Sequence, residues 1–407
     1  MPWDISRRVF LRGAGLAALG IGFHPSSLLV RTAEAASAGN KVLVMVFLRG
    51  GADGLNLCVP YGDPDYYGLH GQIALPRPNQ SGGVANLDGF FGLHPDLTPL
   101  KSLFDDGRLA LLHAVGNYDL SRSHFDAQDF METGTPGIRG TSTGWLDRTI
   151  ALVPGHNVAQ AVSFSTQLTR SFLGPQPVLV AQDLATFDLR ARGWKPEAST
   201  LLQSMYGSRA DAIGQVGRDT FSAISILTQS PAVLAPPANG ALYPNAVVGS
   251  SLRQAAQIIK AGLGTRCIFV NVTGSFDTHA NQLEGNTRDY RSLGPALTAF
   301  ATDLGGLLDD VVLLVATEFG RTAHVNGSAG TDHGSAHCMM VMGGRVRGGK
   351  VYGRWPGLSS SQLYQERDLA VTTDFRDAFQ EMARAQFGIT DSLFPGYTPG
   401  PGPGIVG

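Results

Sequence analysis

The feature that most restricts the fold is a series of short, nearly unbroken apolar runs. VLVMVFL (Val42 to Leu48), LALLHAV (Leu109 to Val115), CIFVNV (Cys267 to Val272), VVLLVA (Val311 to Ala316) and CMMVM (Cys338 to Met342) show little apolar–polar alternation. A strand with one wet face alternates; a strand covered on both faces does not. Between the runs, HPDLTPLKSLFDDG, SSLRQAAQIIKAGLG and LGPALTAFATDLGGLLDD read as helices, and Gly107 and Gly262 serve as stop signals. Strand and helix in alternation predict an α/β fold, a three-layer α/β/α sandwich around a mainly parallel sheet. Two further runs, AQAVSFS and PVLVA, lie at about 145–245 with the helical patch ASTLLQSMYG and the Pro-rich SPAVLAPPANGALYPN. This region reads as an insertion or cap on a single domain spanning 36–407. The Pro/Gly-rich tail FPGYTPGPGPG is predicted to be irregular.

The N-terminus points to export. SRRVFLRG places Arg7 and Arg8 before the apolar GAGLAALGIGF, and the small residues TAEAASA come next. This pattern is a signal peptide over 1–35, cleaved after Ala35 or Ala38, and the paired arginines specify the twin-arginine route. The expected location is periplasmic or secreted, with the twin-arginine translocase as partner during export. The apolar stretch is too short for a stable membrane span. Formal net charge is −2 and no basic stripe occurs, which argues against nucleic acid as a partner. Cys58, Cys267 and Cys338 sit in or beside apolar runs. They read as small buried hydrophobes and not as a disulfide framework.

In open α/β sheets, ligands bind beyond the carboxyl ends of the strands. Asp53 comes after the first run, Ser123 and His124 after the second, Asp277 and His279 after CIFVNV, and Glu318 after VVLLVA. GTDHGSAH places Asp332, His333 and His337 before the last run instead. For His337 to join the others, the strand from Cys338 must run antiparallel to the rest. Carboxylates with imidazoles suit zinc, manganese or iron, and oxygen-rich sets suit magnesium or calcium. One or two divalent ions are expected, with Asp53, Asp277, His279, Glu318, His333 and His337 as ligands. A hydroxyl beside such an ion is a competent nucleophile. Ser123 is the leading candidate, with Ser121 or water as alternatives. Arg49, Arg122 and Arg321 adjoin the candidate acids, and guanidinium forks suit phosphate or sulfate; Arg49 and Arg321 join the catalytic set. Plainer roles exist for several of these. Asp53 can shape the Gly-rich turn, Ser123 can cap the next helix, His124 and Asp126 can be loop polarity, and Asp332 can orient a histidine. His94, His113, His156 and His324 read as structural or surface residues.

FLRGGADGLN, SRSHFDAQDFMETG, FDTHANQ, ATEFGRT and TDHGSAH, in this order, resemble the twin-arginine-exported family known as domain of unknown function fifteen-oh-one. More broadly, the order of acids, hydroxyl and histidine resembles the alkaline-phosphatase-like superfamily of phosphatases, sulfatases and cofactor-independent phosphoglycerate mutases. The resemblance covers nearly the whole mature chain. It implies an alkaline-phosphatase-like sandwich with a late antiparallel strand. It also implies Asp53 as a metal ligand, Ser123 as nucleophile, and Asp277 and His337 at one metal. Glu318 falls where the superfamily has the Asp of an Asp-His pair, and Phe319 stands in place of that His. His333 is the imidazole available to replace it. In the middle motif Asn281 stands where a His is usual, and His279 lies two residues after Asp277. The implied activity is metal-dependent hydrolysis of an anionic phosphate or sulfate ester. The alternative is a non-catalytic binding or scaffold protein that keeps the fold.

Overall fold

The computed structural model describes residues 41–119, 121–155, 157–187 and 195–407. The expected signal peptide, its expected cleavage points and His156 lie outside these residues.

Among the described residues, nine strands form the main sheet: β1 (Val42–Arg49), β2 (Leu109–Gly116), β3 (Ala161–Phe164), β4 (Leu179–Ala181), β5 (Cys267–Thr273), β6 (Val311–Thr317), β7 (His337–Gly343), β8 (Val351–Tyr352) and β9 (Thr373–Asp374). Their order is β8-β2-β7-β6-β1-β5-β3-β4, with β9 alongside β2. β7 runs antiparallel to both neighbours, and every other pair in this sheet is parallel. The late antiparallel strand implied by the resemblance is therefore present. Between and after the strands lie helices α1 (Gly54–Leu57), α2 (His124–Thr133), α3 (Trp145–Leu152), α4 (Lys195–Gly207), α5 (Ala212–Gln229), α6 (Val247–Lys260), α7 (Gln282–Leu304) and α8 (Phe375–Phe387).

The absence of alternation in the strands has the expected cause, because both faces of the sheet are covered. Val44, Val46 and Leu48 of β1 pack with Leu252 and Ile258 of α6 and with Leu297 and Phe300 of α7. Leu43, Met45 and Phe47 point the other way, into a second core with Trp145 of α3 and Phe375 and Phe379 of α8. The Trp145 and Phe379 rings stack with centroids 4.6 Å apart. The three layers are thus helix, sheet, helix. Leu314 lies fully buried in central strand β6. Leu314→Ala is expected to cost about 2–5 kcal/mol through lost transfer energy and a residual cavity. A lower urea midpoint at unchanged slope would show this.

Two parts of the chain differ from the sequence expectation. The 145–245 region is not only an insertion: β3 pairs in parallel with β5 and carries β4, so the region extends the main sheet by two strands. The run AVSF is buried at every position, and its edge is closed by β4, so joining the sheet satisfies its backbone. Helix α8 has no counterpart in the sequence expectation, although TDFRDAFQEMARAQFG carries its boundary signals. Asp374 caps it by accepting from the Arg376 amide at 2.9 Å, and Gly388 ends it in a left-handed conformation (φ +73°).

Candidate metal centre

The carboxyl ends of β1, β5 and β6 and the start of β7 face one region. β1 leaves through Gly50 and Gly51, whose φ values are +126° and +67°. A Cβ on Gly51 would stand 2.5 Å from the Phe319 ring, and one on Gly50 would stand 2.9 Å from the Asp277 amide nitrogen. The two glycines are therefore needed for close approach as well as for the turn. In return, the Gly50 amide donates to Glu318 Oε1 at 2.9 Å.

Three histidines meet on one carboxylate. His279 Nε2 and His333 Nε2 lie 3.0 and 3.1 Å from Asp277 Oδ1, and His124 Nε2 lies 3.3 Å from Asp277 Oδ2. The Nε2 atoms of His279 and His333 are 2.9 Å apart. Ligand atoms of His124, Asp277 and His333 all lie within 4.8 Å of one another.

The opposite nitrogen of each ring is held. His124 Nδ1 bonds Glu318 Oε1 at 2.7 Å, His279 Nδ1 bonds Asp332 Oδ1 at 3.0 Å, and His333 Nδ1 bonds the Arg122 carbonyl at 2.7 Å. A carbonyl and ionised carboxylates only accept, so each Nδ1 carries a proton; the Nε2 of a neutral ring then presents a lone pair, and that of an imidazolium donates to Asp277. Without a cation or an extra proton, two imidazole lone pairs and a carboxylate oxygen would crowd one another. His124 Nε2 is also buried without a hydrogen-bond partner among the described residues. His124, His333 and Asp277, with both imidazoles oriented through the far nitrogen, form the set compact enough for a divalent ion of the zinc or manganese type, and His279 adjoins it.

The electrostatics keep Asp277 ionised and also favour the imidazolium form of His124, a proton that a bound ion would displace. Burial works to raise the Asp277 carboxyl, but the Arg321 guanidinium at 2.8 Å and the bond with His333 outweigh it and bring it down to about 2. Its hydrogen bond to Glu318 raises His124 above the ordinary imidazole value, whereas burial lowers His333. Glu318 is fully buried, yet its carboxyl is held below the usual range against its burial by bonds from His124, Gln128 and Gly50. The Phe319 ring packs under the centre, 4.7 Å from the His124 ring and 4.8 Å from the His333 ring.

Asp277, His279 and His333, candidates by sequence, are brought together. Other candidates take other work. Asp53 is 1% exposed and caps α1; Oδ1 accepts from the Leu55 amide at 2.9 Å, and Oδ2 accepts from Gln282 at 2.6 Å and faces His70 at 3.5 Å. Its lone pairs are engaged away from the histidines. Glu318 accepts from His124 Nδ1 at 2.7 Å and lies outside the compact donor group. His337 is fully buried in β7 with neither ring nitrogen hydrogen-bonded among the described residues, and it lies outside the cluster. Burial brings its imidazole down to about 4. Ser123 caps α2 through a bond from the Asp126 amide at 3.4 Å, and the Ser121 hydroxyl donates to Asp126 at 3.4 Å. Arg321 is buried and clamps Asp277, while Arg49 pairs with Glu132 at 2.6 Å and donates to Asn271 at 2.8 Å.

His124, expected as loop polarity, belongs to the centre. Gln128, one helical turn on, is absent from the sequence candidates, although it donates to the same Glu318 oxygen at 2.7 Å. The spacing of HFDAQ on one helix face is the available signal. The Arg122 carbonyl could not be found in this way, because backbone direction is not written in residue type.

A second trio, Cys58, His113 and Cys338, also lies within 4.8 Å. There His113 donates from Nε2 to the Cys58 carbonyl and accepts at Nδ1 from the Ala114 amide, both at 2.9 Å. Both ring nitrogens are satisfied, so this trio is a packed interior and not a second ion site.

No curated protein matches the chain. Among solved structures, it aligns with a sulfatase (PsFucS1) from Pseudoalteromonas sp. at 13% identity and TM-score 0.30, over 81% of this chain and 68% of that one. Residues 40–395 match the family described as "Protein of unknown function (DUF1501)". That match takes in every strand of the sheet and every residue of the histidine cluster, so the chain belongs to the DUF1501 family.

Proposed function

We propose that the protein is an exported, metal-dependent hydrolase of phosphate or sulfate esters. The observation that carries this is the convergence of three imidazole Nε2 atoms on the Asp277 carboxylate, which Arg321 also clamps. A divalent ion at that point supplies Lewis acidity for an ester oxygen and for water. His124, His333 and Asp277 hold it, with His279 adjoining. Arg321 keeps Asp277 ionised, and Glu318, Asp332 and the Arg122 carbonyl keep the three imidazoles in the binding tautomer. The Asp277 and His279 side chains are 46% and 47% exposed, whereas structural metal sites are closed. An open side is what a substrate needs. Because Ser123 is engaged as a cap, water is the nucleophile in this reading. The alkaline-phosphatase-like resemblance and the twin-arginine sequence support the substrate class and the location. Among the described residues, no helix is long and apolar enough to cross a membrane.

A second reading, a non-catalytic scaffold with one ion, is favoured by Phe319. Its ring occupies ground beside His124 and His333 and leaves donors for a single ion. Elemental analysis of protein purified without chelator separates these from a metal-free protein: about one equivalent is expected, and none after reconstitution with zinc or manganese overturns both. Release of 4-nitrophenol from its phosphate or sulfate ester by the loaded protein then distinguishes hydrolase from scaffold. Ser123→Ala is expected to keep that activity and to lose about 1 kcal/mol of stability as a removed cap. Loss of turnover in a folded Ser123→Ala protein would instead restore the serine nucleophile.

A further inference from the structure

Beside the metal centre lies a groove of about 510 Å3, within the size range of small-ligand sites. Its floor comes from the carboxyl ends of three parallel strands: Arg49 ends β1, Asn271 lies in β5 and Ser165 comes just after β3. Its wall is α2, which begins with His124 of the centre. Gln128 joins the two places, since it lines the groove and donates to Glu318, the residue that holds His124. A ligand whose reacting group sits at the histidines therefore has this groove for its remainder.

The lining states what that remainder is. Three arginines face the groove, and each is already neutralised by an acid of α2: Arg49 by Glu132 at 2.6 Å, Arg139 by Asp126 at 2.6 Å, and Arg170 by Asp129. Among the residues lining the groove, no uncompensated cation is left to attract an anionic chain. What remains are the rims of these planar guanidinium–carboxylate pairs and the neutral amides of Gln128 and Asn271, whose oxygens both accept from Arg49. Phe125, next to His124, projects into solvent at 89% exposure on the rim. Paired guanidinium–carboxylate groups bind vicinal hydroxyls from both sides, and an exposed aromatic face packs against the apolar face of a sugar ring. An extended peptide has less to hold, because β3 is hydrogen-bonded on both edges, by β4 and β5, and offers no open strand.

We propose that this groove is a subsite for an uncharged, hydroxyl-rich saccharide, the non-reacting part of the ester. The substrate class rests on the hydrolase reading, but binding in the groove does not need the ion. The test is affinity electrophoresis of the full mature protein, with and without chelator, in native gels cast with dextran, laminarin, mannan, galactan or arabinoxylan, and with dextran sulfate as the anionic comparison. Retardation by at least one neutral polysaccharide is expected in both conditions. Phe125→Ala and Arg139→Ala, both at exposed positions, are each expected to weaken it by about tenfold or more. Three results overturn the proposal: no retardation by any neutral polymer, retardation by dextran sulfate alone, or retardation that both variants leave unchanged. Sugar binding by a protein that holds no metal would remove the hydrolase reading and leave the groove. Ester hydrolysis without retardation would remove the groove alone.

Discussion

On the proposed function, Asp277→Ala is expected to empty the candidate metal centre. Metal affinity falls by at least about 100-fold, the upper range for disturbing even the groups that support a ligand, and ester hydrolysis falls with it. The reason is that Asp277 is the common point of the cluster. Both of its oxygens face imidazole Nε2 atoms, and among the described residues no other carboxylate lies within hydrogen-bonding reach of all three. Removing it also leaves Arg321, whose side chain is fully buried, without its ionic partner. Breaking a buried pair from one side costs about 3–5 kcal/mol, and here less, because Asp277 is half exposed. Metal stoichiometry and urea denaturation should therefore be measured on the same preparation. Glu318→Gln separates the two effects. It keeps size and an acceptor oxygen for His124 and Gln128 but loses the negative charge that holds the His124 Nδ1 proton, so affinity should drop about 10–100-fold with little change in the ion pair at Arg321. If Asp277→Ala, correctly folded, retains a full equivalent of metal, the ion sits elsewhere and the cluster is only a hydrogen-bonded network.

The second large effect is acid destabilisation between about pH 6.5 and 4. His94, His113 and His337 are buried, and burial brings each imidazole down to about 4 from an ordinary 6.5. In the unfolded chain they take up protons below 6.5, while in the folded protein they stay neutral until about 4. The unfolded state then binds more protons, so stability rises with pH across this window and is lost as pH falls through it. Each group accounts for about 3 kcal/mol at most, at 1.36 kcal/mol per pH unit. The sum is comparable to the whole stability of an ordinary domain. His113 shows the physical cause most directly. Its Nδ1 accepts from the Ala114 amide, so a proton there would set two N–H groups against each other. Asp277, at about 2, contributes in a separate, lower window below 3.8, where its own protonation removes the pairing with Arg321. Thermal melts at fixed ionic strength should show the midpoint falling steeply from pH 6.5 to 4, and His113→Asn should flatten that fall. A midpoint constant over this range would mean that the three imidazoles accept protons without unfolding.

The order of strands shows how far residue types reach. Unbroken apolar runs require cover on both faces, so a helix–sheet–helix sandwich with parallel strands could be read directly. The antiparallel β7 agrees with the family resemblance, whereas the expectation from His337 rested on its joining the site, and it lies outside the cluster. The membership of β3 and β4 in the sheet was not, because a four-residue apolar run fits a cap as well as an edge. The centre divides in the same way. Asp277, His279 and His333 stood out as ligand types at strand ends. Asp53, Glu318 and His337 had equal standing by residue type and position, and nothing in the chain order separates them from the cluster.

What the sequence determined by itself is the layering and the end of the sheet at which polar groups collect, because both derive from periodicity and from where apolar runs stop. What only the tertiary structure decided is which of those groups face one another. Asp53 turned to cap α1 and bond Gln282, Glu318 turned inward to four donors, and His124 swung off the start of α2 toward Asp277. Each choice was set by a backbone amide, a carbonyl or a distant side chain. Such partners lie up to 268 residues away along the chain, as Gly50 does from Glu318, and they meet only when the sheet is complete.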